Sequence, residues 1–367
     1  TESGKRAKSS DAARGTPYAG STMKLLRPKD LGLGVRLAAL APGLPTRVVS
    51  NAALHALGAP LTPEEMEKLT GITERRWADD GQAASDLALL ACRAALTRAR
   101  RAPEDVERLI LGTVSPDHPS PSTACAVQHA LGLRQVPAFD VSAACSSFVY
   151  ALELACRSVA TGEAVVLAAA ADVRSRYLNV QDRATCALFG DGAVAAVVER
   201  GEMGQGILAI GLGADGTGVK SVYVPAGGSR EPVTVEAVQA NRHRLTMQDG
   251  PAVYLQAVDG MISLAQSVLE AEGLTFADVK LLVPHQANRR MLERLSRFAR
   301  VPSEKVMINV EKLGNTSGAS CGLALEAALA QGRVAAGDLV LLVAAGAGYT
   351  AGAALLKVDQ ALLDAMH

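Results

Sequence analysis

The second half of this chain repeats the order of its first, and few folds accommodate that. Asp86 heads the apolar run 87–96, and Asp259 heads a similar run over 260–269. Residues 105–111 (DVERLIL) have a counterpart in 278–283 (DVKLLV). Phe139-Asp140-Val141 answers to Ile308-Asn309-Val310, the helical pattern 151–160 to 323–330, and residues 163–167 to 338–342. The offset stays between roughly 169 and 175 residues throughout. One such match is coincidence, but five in order at one spacing indicate a duplication. Within each copy strands alternate with helices, which builds parallel or mixed sheets covered by helices on both faces. A duplicated α/β fold tends to place its site at the pseudo-twofold, where strand ends from both copies meet.

Local signals give the element order. A strand is expected over 31–40 and a helix over 52–57. Thr62-Pro63-Glu64-Glu65 carries a cap, a first-turn proline and first-turn acids, so another helix starts there. A long helix over 85–100, a strand over 108–113 and a helix over 122–131 follow, then strands over 136–141 and 164–170. Residues 1–22 are polar and small and read as a disordered tail, with Met23 as a natural start. The expected division is a tail over 1–22, one half over 23–205 and the other over 206–367.

Composition excludes several functions. Lys plus Arg and Asp plus Glu balance at 37 each, which argues against nucleic-acid binding. Aromatics are only 3% while small aliphatic residues dominate, as suits helices packed closely on strands. No apolar run is expected to reach the roughly 20 residues that span a bilayer, and no secretory leader is recognisable. The six cysteines form no CxxC pair, so reduced thiols in a cytoplasmic protein without structural zinc are expected.

Three positions carry chemistry. Cys145 stands between a short strand and a helix pattern, where free backbone N–H groups and the helix dipole favour a thiolate. It reads as a nucleophile or as one more small buried residue. His285 follows a buried strand in VPHQAN, at the carboxyl end where α/β folds place catalytic groups. Asn315 lies in the small-residue turn GNTSGAS, where it brings an amide to an open spot or caps a helix. Cysteine, histidine and asparagine together supply a nucleophile, an imidazole and a neutral hydrogen-bond donor. The turn AGAGYT over 345–350 leads into a strand, which disfavours dinucleotide binding and suits an oxyanion hole.

These segments resemble the β-ketoacyl-acyl-carrier-protein synthase III family, thiolase-fold condensing enzymes that initiate bacterial fatty acid synthesis. The resemblance rests on PAFDVSAACSSFVYAL around Cys145, ALFGDGAVAAVV from Ala187, VPHQANRRML around His285, KLGNTSGAS around Asn315 and GAGYTAGAAL from Gly346. It covers about residues 31–358. Thiolases have a second cysteine and elongating synthases a second histidine where Asn315 stands. Plant-type polyketide synthases share the three residues but end in a different glycine loop. The resemblance implies an α/β, layered αβαβα fold of two duplicated halves with mixed, mainly parallel sheets. It implies that Cys145 takes the acyl group of an acyl-CoA, and that His285 and Asn315 stabilise the enolate formed as malonyl-acyl-carrier protein loses CO2. The backbone N–H groups of Cys145 and Ala347 would form the oxyanion hole. It implies a homodimer working with an acyl carrier protein, and no metal or redox cofactor.

Two departures from the family pattern stand out. Ser120 occupies the position that reaches the partner's acyl pocket and is often bulky, so a roomier primer pocket is expected. The tryptophan and arginine that sandwich the CoA adenine before Thr70-Gly71-Ile72 are missing, while Asp182-Arg183 on the other side is kept and Trp77 is no obvious replacement. Arg290, Arg294 and Arg297 share a helical face, and Arg290 and Arg297 are expected to dock the carrier protein or its phosphopantetheine. Two other readings are an acyltransferase acting on an alcohol or amine, and a non-catalytic partner of a heterodimeric synthase.

Overall fold

The computed structural model describes Leu25–Leu26 and residues 34–366. The tail, Met23 and the first residues of the strand expected from 31 lie outside the described residues. The first half runs β1 (Gly34–Gly43), α1 (Pro63–Thr70), α2 (Ala84–Ala99), β2 (Arg108–Gly112), α3 (Thr123–Leu131), β3 (Ala138–Val141), α4 (Ser147–Ala160), β4 (Val165–Asp172) and β5 (Gly192–Gly201). The second runs β6 (Gly206–Ala214), α5 (Gly250–Ala271), β7 (Leu281–Pro284), α6 (Arg289–Ala299), α7 (Ser320–Ala330), β8 (Leu339–Gly346) and β9 (Thr350–Lys357). Thr62 and Glu65 close a capping box over α1, with Glu65 N donating to Thr62 Oγ1 at 3.2 Å and Thr62 N to Glu65 Oε2 at 2.9 Å.

The strand order is β7-β8-β9-β6-β1-β5-β4-β2-β3. The two halves use one pairing scheme. β1–β5 and β5–β4 are antiparallel and β4–β2 is parallel; β6–β9 and β9–β8 are antiparallel and β8–β7 is parallel. β2–β3 adds a further parallel pair. The sheets are therefore mixed, and the longer parallel ladders are β4–β2, β2–β3 and β8–β7. Along the sheet β1 and β6 share one parallel pair, Val35 with Gly206, and Leu25–Leu26 pairs antiparallel with Ile210 and Gly211 of β6. The fold is held instead through its layers. Alternate residues of β4 and β5 (Val166, Ala168, Val194, Ala196) and of β8 (Val340, Leu342) enter one cluster with α4 and α7. The intervening residues of β4 and β5 pack under α2, and those of β8 and β9 under α5. The layer order is helix, sheet, helix, sheet, helix, because every central strand is apolar on both faces.

Three details differ from the sequence reading. α5 starts at Gly250, capped by Asp249, so Asp259 lies mid-helix and does not head it. At 22 residues α5 is long and apolar enough to cross a membrane, contrary to the expectation that no run reaches that length. Its apolar stripe (Val258, Met261, Leu264, Val268) is spent on the face of β8 and β9. The counterpart of β3 is reduced to the bridge Leu282–Val306 and one helical turn, Val310–Leu313.

Candidate active site

Two matched turns head the two central helices. A 3-10 turn over Ala144–Ser146 leads into α4, and one over Ser317–Ala319 leads into α7. Ala144 (φ 47°) and Ser317 (φ 51°) are both left-handed, and they occupy equivalent places in the duplication. Non-glycine residues pay for that conformation, roughly 1–3 kcal/mol each, and the cost is found where function demands a backbone direction. In one copy the residue after the left-handed position is Cys145; in the other it is Gly318, with Asn315 two residues ahead of Ser317. The two turns touch, with Cys145 Sγ 3.9 Å from Ser317 Oγ.

Asn315 is held on both sides. Its N–H donates to Leu188 O at 2.8 Å, its carbonyl accepts from Gly190 N at 3.1 Å, and its Oδ1 accepts from Ser317 N at 2.9 Å. The amide nitrogen of Asn315 is left for the cavity. The ALFGDG stretch thus serves as a backbone rail for Asn315. His285 directly follows β7, its N–H donating to Val343 O at 2.7 Å. Its Nδ1 lies 2.5 Å from Ser320 Oγ, which also accepts from Gln286 N at 3.3 Å. Ser320 Oγ can donate its proton to Nδ1 while accepting from Gln286 N. In that arrangement the ring proton sits on Nε2, and His285 lines the cavity. Burial pushes His285 down to about 3, so the imidazole is neutral. Burial also pushes the Cys145 thiol up to about 11, with the Arg174 charge acting the other way. The thiolate expected at the helix start is therefore outweighed by desolvation, and the resting group is a thiol.

Cys145, His285, Asn315 and Ala347 all line one cavity of about 840 Å³ with largely apolar walls. The loop after β8 comes hard against the nucleophile: a Cβ on Gly346 would lie 2.7 Å from Cys145 N. Thr350 Oγ1 donates to Ala143 O at 2.7 Å and ties the two segments together. Arg183 and Arg290 reach the cavity mouth; Arg183 is exposed and 3.7 Å from Glu65. Arg297 is exposed on α6, away from the lining, and Arg294 stacks between Tyr254 and Phe298 at 5.4 and 4.8 Å. Ser120 is exposed and does not line this chain's own cavity. Trp77 is buried and donates to Phe189 O at 3.2 Å, a structural role. Sequence reading missed Ser320, which carries no motif of its own, and the wall made by Val222, Val224 and Leu245. It also missed Arg174, whose signal is a charge just past an apolar strand.

Fold and cavity together define a class, the thiolase-fold enzymes that transfer acyl groups. Residues 68–171 match the model of the thiolase N-terminal domain. Residues 139–216 match 3-oxoacyl-[acyl-carrier-protein] synthase III, and 269–358 match its C-terminal model. A β-ketoacyl-[acyl-carrier-protein] synthase III of Caldanaerobacter subterraneus subsp. tengcongensis is 46% identical over 86% of this chain and 95% of its own length. A 3-oxopimeloyl-[acyl-carrier-protein] synthase of Rhodothermus marinus is 42% identical over 89% and 92%. The crystal structure of 3-oxoacyl-[acyl-carrier-protein] synthase III from Aquifex aeolicus superposes with a TM-score of 0.81 at 37% identity, covering 89% of this chain and all of that one. The chain belongs to the β-ketoacyl-acyl-carrier-protein synthase III family.

Proposed function

We propose that this enzyme joins an acyl primer to malonyl-acyl-carrier protein by decarboxylating Claisen condensation through acyl-Cys145, giving 3-oxoacyl-acyl-carrier protein and CO2. The carrying observation is that Cys145, His285 and Asn315, drawn from both halves, open onto one apolar cavity. Cys145 Sγ attacks the primer thioester; the new S–C bond replaces the one to CoA, and the thiol proton leaves with the CoA sulfur. Malonyl-acyl-carrier protein then loses CO2, and the electron pair left behind becomes an enolate. His285 Nε2–H and the Asn315 amide donate to its oxygen. Neutral donors suit this step, since a carboxylate would repel the developing charge. The carbanion attacks the acyl-Cys145 carbonyl, whose oxygen is held by the N–H groups of Cys145 and Ala347, and the expelled thiolate takes a proton from solvent. A donor of that kind contributes roughly 3–4 kcal/mol. These groups meet each charge that develops, so the reaction is proposed to need no metal or redox cofactor.

Arg183 and Arg290 at the mouth would take the phosphates of CoA or the carrier arm, and Arg297 the acidic carrier protein. The enzyme is proposed to be a cytoplasmic homodimer. Among the described residues β3 is a sheet edge paired only with β2, and its Asp140 accepts from Ser122 Oγ, Thr123 N and Ala124 N at 2.8 Å each. That carboxylate fixes the loop of Ser120 beside the free edge, where Ser120 would reach a partner's cavity. One relative is named for a 3-oxopimeloyl product, an acyl group that ends in a second carboxyl. The test pairs intact-protein mass after incubation with acyl-CoAs and release of labelled CO2 from malonyl-acyl-carrier protein. An acyl adduct on Cys145 with CO2 release is expected. An adduct without CO2 release points to the acyltransferase reading; no adduct with any chain points to a non-catalytic partner.

A further inference from the structure

Arg174 is the charge in the cavity that the reaction above leaves unused. It opens the turn Arg174–Tyr177 just after β4 and is 7% exposed, yet lines the same cavity as Cys145. Its guanidinium lies 5.5 Å from the ring centres of both Tyr177 and Phe189. No carboxylate among the described residues comes within 4.0 Å of it, and its buried Nε has no hydrogen-bond partner. The nearby acids are engaged elsewhere. Asp172 accepts from Thr113 Oγ1, Val114 N, Ser115 Oγ and Gly318 N at 2.8–3.2 Å. Asp191 accepts from Ala78 N, Ser175 N and Ser175 Oγ at 2.6–2.8 Å, which pins the turn that carries Arg174.

An arginine cannot shed its charge, and burying a cation without a counterion is costly. Two aromatic rings offset part of that cost. What they leave unmet is a set of N–H donors suited to a planar, two-oxygen anion. We infer that the cavity takes an acyl primer ending in a carboxylate, with Arg174 as the group that recognises it. This rests on the loading of Cys145 proposed above. The covalent step is unchanged: the primer carbonyl leaves the CoA sulfur for Cys145 Sγ, and the far carboxylate stays ionised against Arg174. A buried polar group built to meet a partner discriminates strongly against the analogue that lacks it.

The test is loading of Cys145, without malonyl-acyl-carrier protein, from matched CoA thioesters. Succinyl, glutaryl and adipyl chains are run against butyryl, pentanoyl and hexanoyl chains and read by intact mass over time. Wild-type protein should load at least one carboxylated chain tenfold or more faster than its neutral match. In R174L that ratio should fall at least tenfold, and R174K should lie between. Wild-type loading that favours the neutral member of every pair overturns the inference, whatever the variants do. So does an unchanged ratio in R174L: equal slowing of both chains would mean that Arg174 acts only on the thiol. If the extender's carboxylate were the real ligand, R174L would change the KM for malonyl-acyl-carrier protein and not the loading ratio, which also overturns it. Failure of every chain to label Cys145 would instead defeat the condensing reading itself.

Discussion

Gly346→Ala tests the proposed oxyanion hole more directly than removing the nucleophile. The new Cβ would lie 2.7 Å from Cys145 N, 2.7 Å from Thr350 Oγ1 and 2.9 Å from Ala143 O. Two of these atoms are backbone, and the third is fixed by its bond to Ala143 O, so no side chain can turn away. Ordinary van der Waals separation requires the end of β8 and the Cys145 turn to part by roughly 0.7 Å or more. Overpacking of this kind costs ~1–3 kcal/mol of stability. The larger effect falls on rate, because loss of one oxyanion donor lowers kcat by about 10²–10³. Gly228→Ala is the control, since its Cβ would meet nothing within 4 Å. Condensation is followed by CO2 release and folding by thermal denaturation. The expected result is a drop of about a hundredfold or more in G346A with a modest fall in Tm, and no change in G228A. A G346A protein within twofold of wild type on both counts would refute the reasoning.

Three further outcomes follow from the geometry. With the thiol pushed up to about 11, alkylation of Cys145 by iodoacetamide should rise about tenfold per pH unit from 7 to 10, read on its own peptide because Cys125 is exposed; a plateau below pH 8 would mean a resting thiolate. Ser320→Ala removes the hydrogen bond to His285 Nδ1, worth ~1 kcal/mol, and should slow condensation roughly tenfold while sparing Cys145 loading. His285 titrates at about 3 when folded and at 6.5 in its ordinary state, so only the unfolded chain takes up that proton between those values. Stability contributed above pH 6.5 should thus be lost as pH falls, by at most ~1.4 kcal/mol per unit, and His285→Gln should flatten the slope of denaturant midpoint against pH.

Much of this was readable in the chain because short-range chemistry decided it. Thr62 with Glu65 marked the start of α1, and the repeat announced two similar halves of alternating strands and helices. Cys145, His285 and Asn315 were visible because each stands where a strand gives way to a turn, and their convergence followed from the duplication. The rest depended on long-range contacts. Asp249, not Asp259, starts α5, since packing under β8 and β9 rewards a longer helix than the repeat implied. The state of Cys145 was misjudged because burial, invisible in sequence, outweighs the helix start. Ser320 gained its role only when α7 was laid against the end of β7. Arg174 looked like an ordinary charge after a strand until the fold enclosed it.

The two central helices have a consequence for how such an enzyme can change. α4 and α7 each begin at a turn that carries part of the chemistry, and they meet where a Cβ on Gly322 would lie 2.5 Å from Val194 and 3.1 Å from Phe148. The middle layer therefore acts as a spacer that sets the gap between the thiol and the amide. A methyl group added there, far from any substrate, would be felt as a misaligned reaction rather than a looser protein. The two copies are free to diverge on their outer helices, but along this seam a gain in volume on one side has to be matched by a loss on the other.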